Sequence, residues 1–198
     1  MKKKETEKKL VDIFCPTSQA DWRKWLEQNH LKVTAVWLVY YKKKSGITTL
    51  NWSEAVDEAI CFGWIDSTAK PIDDKTYKQL FTKRNSKSAW SKINKDKVTR
   101  LIEAKLIAPA GIQAIEIAKQ NGSWTALDEV EALIIPDDLK FQFQQKPEAK
   151  KYFLSLSNSN KKFILYWVSS AKRPETRLKR INEIIAFTEK GLKPKILG

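Results

Sequence analysis

Hydrophobic and polar positions alternate at two periods along the chain, and the change from one to the other divides it. Residues 19–29 repeat at helical spacing, with Trp22, Trp25 and Leu26 on one face and Ser18 or Thr17 placed to cap the first turn. Residues 34–41, TAVWLVYY, are β-branched and aromatic and apolar at both parities, the pattern of a strand covered on both faces. KKKSG at 42–46 closes that strand with a turn. Ser53 is then expected to cap a short helix, EAVDEAICF, whose buried stripe is Ala55, Val56, Ala59 and Ile60. Glu54, Asp57 and Glu58 lie toward its N-terminal end, where acids suit the helix dipole, and Gly63 ends it. WIDSTAKPI and TYKQLFTKR read as two strands joined at residues 73–75, with Pro71 tolerated only at a strand edge or end.

From Ser91 onward the pattern is helical. Ser91 caps a helix over 92–106 with Val98, Leu101, Ile102 and Lys105 along one side. Pro109 opens a second helix, which Asn121-Gly122 stops. Further helices are predicted at 136–145, 147–156, 159–171 and 174–190, with Gly191 at the position after the last turn. No internal repeat or low-complexity linker interrupts them. The reading is α+β: a small antiparallel sheet with helices in an N-terminal part at 12–90, and an all-helical C-terminal part at 91–198, either as two parts or as one compact unit.

Composition bounds the class. In 198 residues, 42% are hydrophobic and 11% aromatic, enough for a substantial core. MKKKETEKKL at the start reads as a frayed end, since it lacks the apolar stretch of a secretion signal. The longest apolar block, 163–168, is six residues, far short of a membrane span, and a cytoplasmic location is expected. The net charge of +14 is uneven: +2 over 1–69, +7 over 70–105, −4 over 106–145 and +9 over 146–198. Two basic blocks parted by an acidic one raise a polyanion or nucleic acid as partner.

Candidate chemistry is sparse. Cys15 and Cys61 form no C-x-x-C pair, and Cys61 in AICFGW has the setting of an inert core thiol. The single histidine, His30, excludes most histidine-based metal sites and follows a helix end, where it is expected to cap carbonyls. No nucleotide-binding, nucleophile-elbow or zinc-protease motif occurs, so neither a cofactor nor a metal nor a catalytic residue is expected, and the balance leans away from an enzyme. The best candidate carboxylate is Asp66, between Trp64 and Ser67, where flanking indoles would desolvate it. Arg84, Trp90, Ser91 and Asn94 follow the next strand and are candidates for the same ligand-binding cleft. Against this stands a plain structural role: a turn or ion-paired Asp66, tryptophans in the core, and Asp73-Asp74 as a hairpin turn. Lys172, Arg173, Arg177, Lys179 and Arg180 on the last helix are the nucleic-acid candidates, opposite a buried side of Leu178, Ile181, Ile185 and Thr188. Lys92, Lys95, Lys97 and Arg100 offer a second basic helix face. The alternative is that these arginines pair with the acidic 106–145 segment.

Four blocks carry a family resemblance: VWLVYYKKKSG, EAVDEAICFGWIDS, FTKRNSKSAWSKIN and SAKRPETRLKRI. In this order, from about Trp22 to about Phe187, they resemble the YdeI/OmpD-associated proteins, also called bacteriocin-protection proteins. The family pattern commonly has Pro-Arg after the Phe-Thr step, where this chain has Lys83-Arg84. The resemblance implies a part in bacteriocin or envelope-stress tolerance, with no biochemical activity attached. The expectation is a cytoplasmic protection protein that acts by binding; the alternatives are a nucleic-acid-binding protein, or a small-ligand binder or enzyme using the Trp/Asp/Arg cleft.

Overall fold

A computed structural model describes residues 11–198, so MKKKETEKKL lies outside the described residues. The chain divides into two compact units, one of residues up to Ala89 with Ile93–Trp124, the other of Trp90–Lys92 with Thr125–Gly198.

The first unit is a four-stranded sheet with helices. It begins with β1 (Ile13–Phe14) and α1 (Gln19–Asn29), whose Ser18 side chain accepts from the Asp21 N–H. Then follow β2 (Ala35–Tyr41), a 3-10 turn at Lys43–Ser45, and α2 (Trp52–Cys61). The hairpin of β3 (Trp64–Pro71) and β4 (Thr76–Lys83) precedes α3 (Lys92–Glu103) and α4 (Pro109–Gln120). The strand order is β1-β2-β4-β3. β2 and β3 both pair antiparallel with β4, whereas β1 pairs parallel with β2. The sheet is therefore mixed rather than antiparallel, because a strand of two residues leaves no periodic signal in the sequence.

β2 alternates instead of being covered on both faces: Val36, Leu38 and Tyr40 are buried, while Ala35, Trp37, Val39 and Tyr41 are only half-buried. Half burial suits large side chains that cover one another, and Lys70 and Lys78 lie over the Trp37 ring at 5.5 and 4.9 Å. The cap of α2 is Asn51, not Ser53: its side chain accepts from Glu54 N–H while Glu54 returns a bond to Asn51 N–H. On α3, Val98 and Leu101 are buried, but Ile102 is exposed, and Lys105 leaves the helix with φ 57. At Gly111 on α4, an added Cβ would meet the Cys61 carbonyl oxygen at 2.4 Å, so the backbones of α2 and α4 touch.

The second unit holds α5 (Asp128–Glu131), α6 (Asp137–Gln145), α7 (Pro147–Ser155), α8 (Asn158–Ser169) and α9 (Pro174–Thr188). Prolines open α7 and α9 where a missing N–H costs nothing, and Gly191 beyond α9 has φ 66. Its core joins Leu139, Phe143, Phe153, Ile164, Leu165, Val168, Ile181 and Ile184. On α9 the buried side includes Ile184, and Leu178 is exposed, contrary to the stripe expected from spacing. The molecule is α+β, as the sequence pattern indicated.

Candidate functional site

Asp66 stands on β3 opposite Phe81 of β4, one residue before the sheet register slips. The register shift between Asp66 and Ala69 lies in the edge strand, where bulges are common. Two donors converge on one carboxylate oxygen: Trp52 Nε1 at 3.0 Å and Gln79 Nε2 at 2.8 Å, both to Oδ2. Gln79, itself buried, also donates to the Ser67 carbonyl at 3.3 Å. Asp66 is thus neither a turn cap nor an inert edge residue; it ties the start of α2 to the middle of β4.

Two tyrosines lie further along the same strands, level with Pro71. Tyr40 and Tyr77, cross-strand partners, stack with centroids 5.0 Å apart and planes 14° from parallel. The Tyr40 hydroxyl is buried and, among the described residues, has no hydrogen-bond partner. Burial pushes its ionisation well up, and Tyr77 and Asp66 add to that. Beside these groups lies an open cleft of about 500 Å³. Tyr40, Tyr41, Tyr77 and Trp52 give it aromatic walls, and the segment from Gly46 to Asn51 closes the other side. Gly46, with φ 71, lets the chain turn sharply after the 3-10 turn to form that side. The charged side chains in the wall are Lys42 and Lys43; Lys42 Nζ donates to the Asp73 carbonyl at 2.6 Å. Asp73 and Asp74 sit in the hairpin turn, where Asp73 Oδ1 accepts from the Lys75 and Thr76 N–H groups.

The remaining predicted residues distribute as follows. Trp64 is fully buried and meets Trp25 edge-on at 6.0 Å; its N–H has no partner among the described residues. Arg84 is half-buried, donates to the Ala89 carbonyl at 2.6 Å, and burial lowers its ionisation to about 10 against the opposing pull of Asp66. Ser67 is exposed, with Oγ 3.4 Å from the Leu80 carbonyl, and Asn94 is half-buried near the start of α3. Trp90, buried, and Ser91 belong to the second unit. So Asp66 acquires Trp52, Gln79 and Tyr40 as neighbours, which the fold and not local spacing brings to it. Trp52 was visible in principle as a tryptophan directly after a helix cap, in the same stretch of chain as Asp66.

Asp57 and Glu58 were read as dipole partners, and the structure gives them another role. They fall past the first turn, and both are buried. Asp57 takes Lys97 Nζ and Arg100 Nη2, each at 2.6 Å, and Lys97 also reaches Ser53 Oγ at 2.7 Å. Glu58 takes Arg23 at 2.9 Å and Gln19 at 2.7 Å. α1 and α3 are therefore pinned to α2 through ions. Lys97 and Arg100 are spent on this pairing instead of forming a free basic face, and Lys95 lies over the Trp124 ring at 5.9 Å. The signal was present in AVDEAICF: acids inside an otherwise apolar run must either break the core or find cations within it.

On α9, Arg177 grips both oxygens of Asp138 and also reaches the Val168 carbonyl. Arg180 donates to the Trp167 carbonyl and to Ser170 Oγ. Lys172, Arg173 and Lys179 remain exposed. His30 Nδ1 donates to the Leu26 carbonyl at 2.8 Å, closing α1 as expected of a capping histidine. Among the described residues no cluster of three metal-ligating side chains occurs, and no helix is long and apolar enough to cross a membrane.

Residues 14–114 match the family described as Domain of unknown function (DUF8412), and residues 132–191 match the one described as Bacteriocin-protection, YdeI or OmpD-Associated. The resemblance read across 22–187 is thus carried by the second unit, while the sheet and its cleft fall within the other match. No curated protein and no solved structure matches the chain.

Proposed function

Since the chain belongs to the DUF8412 family, whose match encloses the cleft beside Asp66, we propose that it confers bacteriocin or envelope-stress protection in the cytoplasm by binding a small ligand there. The observation that carries this reading is a cavity of about 500 Å³ with Trp52 in its wall, the indole held by Asp66, which Gln79 in turn holds. Small-molecule sites are commonly of this kind, with aromatic walls and a few fixed polar groups. The match of residues 132–191 to bacteriocin-protection proteins supports the physiological side of the reading. Asp66 is assigned an anchoring role and no chemical step.

Expression of the chain and of Asp66→Ala in a bacteriocin-sensitive bacterium, followed by killing curves, tests it. Survival should rise with the wild-type chain and return toward the control with Asp66→Ala, at equal soluble protein. Unchanged survival with the wild-type chain present and folded would refute the protective role.

Nucleic-acid binding is a second reading, favoured by the exposed Lys172, Arg173 and Lys179 and the net charge of +14. Gel shifts across a salt series test it, since each phosphate neutralised on a duplex adds about −0.9 to the log–log slope. No shift at low salt with micromolar protein would end it.

A further inference from the structure

We propose that the cleft takes a planar aromatic molecule carrying one anionic group, with its ring against Trp52 and Tyr77 and its charge at Lys42 and Lys43. This rests on the ligand-binding reading above and names the ligand class.

Charge selects the sign. Among the described residues, both charged side chains in the cleft wall are lysines, and no carboxylate lines it. The acids nearby are already engaged. Glu54 accepts from Asn51 N–H at 2.9 Å, Asp73 Oδ1 holds the hairpin turn at 2.7 Å, and Asp66 Oδ2 serves Trp52 and Gln79. Asp74 faces Lys44 at 3.9 Å. Lys42 is fixed in place by the Asp73 carbonyl, and Lys43 has no ion pair among the described residues, so the pair presents one oriented and one adaptable cation.

The walls select the body. Four aromatic side chains, Tyr40, Tyr41, Tyr77 and Trp52, line the cleft with Ile47 and Leu50 as its aliphatic part, and the aromatic share favours a flat π-system over a chain. Trp52 is 44% exposed although its N–H is bonded, so its ring is held in position and still open to a partner. An exposed indole fixed by a hydrogen bond loses little rotamer entropy when a ring stacks on it. Thr48 and Thr49 supply hydroxyls along the opposite side for polar substituents. A cationic ligand would meet the two lysines and find Asp66 behind Trp52 with its Oδ2 already doubly occupied. That asymmetry excludes an aromatic cage for an ammonium group.

The test uses the full chain, ¹⁵N-labelled, with the Trp52 indole N–H resonance assigned through Trp52→Phe. Indole-3-carboxylate and adenosine 5′-monophosphate serve as probes and separate a carboxylate from a phosphate source of the anion. Tryptamine and adenosine are the cationic and neutral counterparts. Saturable movement of the Trp52 signal by one or both anions, stronger than by its counterpart and weakened about tenfold by Lys43→Glu, is the expected result. The proposal is overturned if tryptamine or adenosine moves the signal as well as the matching anion. It also falls if no probe moves it while the rest of the spectrum shows a folded chain. In the first case ligand binding at the cleft stands and only the class is wrong. In the second the killing curves with Asp66→Ala decide the protective reading separately.

Discussion

Trp52 Nε1 lies 3.0 Å from Asp66 Oδ2, so the first residue of α2 is tied to the bulged strand β3. Gln79 shares the same oxygen from β4 at 2.8 Å. Asp66→Asn keeps the shape, and its amide oxygen can take the place of Oδ2, but both charge-assisted bonds become neutral ones. A loss of about 1–2 kcal/mol is expected, read as a lower urea midpoint together with movement of the Trp52 indole resonance. An unchanged midpoint and an unmoved signal would show that the contact does not hold α2.

Asp57 and Lys97 are each only 11% exposed at the side chain, while Arg100 is 59% exposed. Removing one buried partner strands the other, so Asp57→Ala should cost about 3–5 kcal/mol. Arg100→Ala should cost under about 1 kcal/mol, since its exposed head is screened. Asp57→Leu combined with Lys97→Met should recover most of the loss. Denaturant titrations of the single and double variants measure the coupling, and simple additivity of the two losses would contradict it.

Cys61 is buried and Cys15 exposed. Burial, with the Glu58 carboxylate adding to it, holds the Cys61 thiol up to about 11 from its ordinary value near 9. The folded chain keeps that proton between those values and the unfolded chain loses it. Stability is therefore undiminished by this group below pH 9 and falls as pH rises toward 11. A thiol reagent at pH 8 should modify one cysteine in the native chain and two after denaturation. Cys61→Val should flatten the alkaline decline in melting temperature.

Asp138 is held below the usual carboxylate range by the Arg177 guanidinium that grips it. The pairing stabilises the second unit above the ordinary carboxylate pKa, and that contribution disappears as pH drops through the lowered value. Arg177→Ala should weaken the acid dependence of its unfolding and cost at most about 1 kcal/mol at neutral pH, because the pair is partly exposed. Circular dichroism melts between neutral and acid pH check both. An equal acid dependence in the variant would mean that Asp138 gains nothing from Arg177.

Elements that end on a stereochemical constraint were legible. Ser18, Pro109, Pro147 and Pro174 mark helix starts by capping or fixed φ, and each falls at one, whereas Gly191, with positive φ, lies three residues past the end of α9. Asn51 and Ser53 are both good caps two residues apart, and Glu54, three residues after Asn51, decides between them. β1 was illegible because it depends on a parallel partner more than 20 residues away, Trp37. The site was legible only at its centre. Asp66 could be singled out from its neighbours in sequence, but Gln79 and Tyr40 reach it through strand register, which is a property of the sheet and not of any local window.

The sheet order also leaves two margins of different character. At one margin β3 carries Lys70, Pro71 and a bulge, three features that deter a foreign strand. At the other, among the described residues, β2 is paired by the two residues of β1 and by the bond from Trp37 N–H to the Asp12 carbonyl. A chain shortened to begin at Cys15 would lay bare the hydrogen-bonding row of β2 beside Trp37 and Val39. Self-association by strand addition, rather than unfolding, would be the first symptom of that loss.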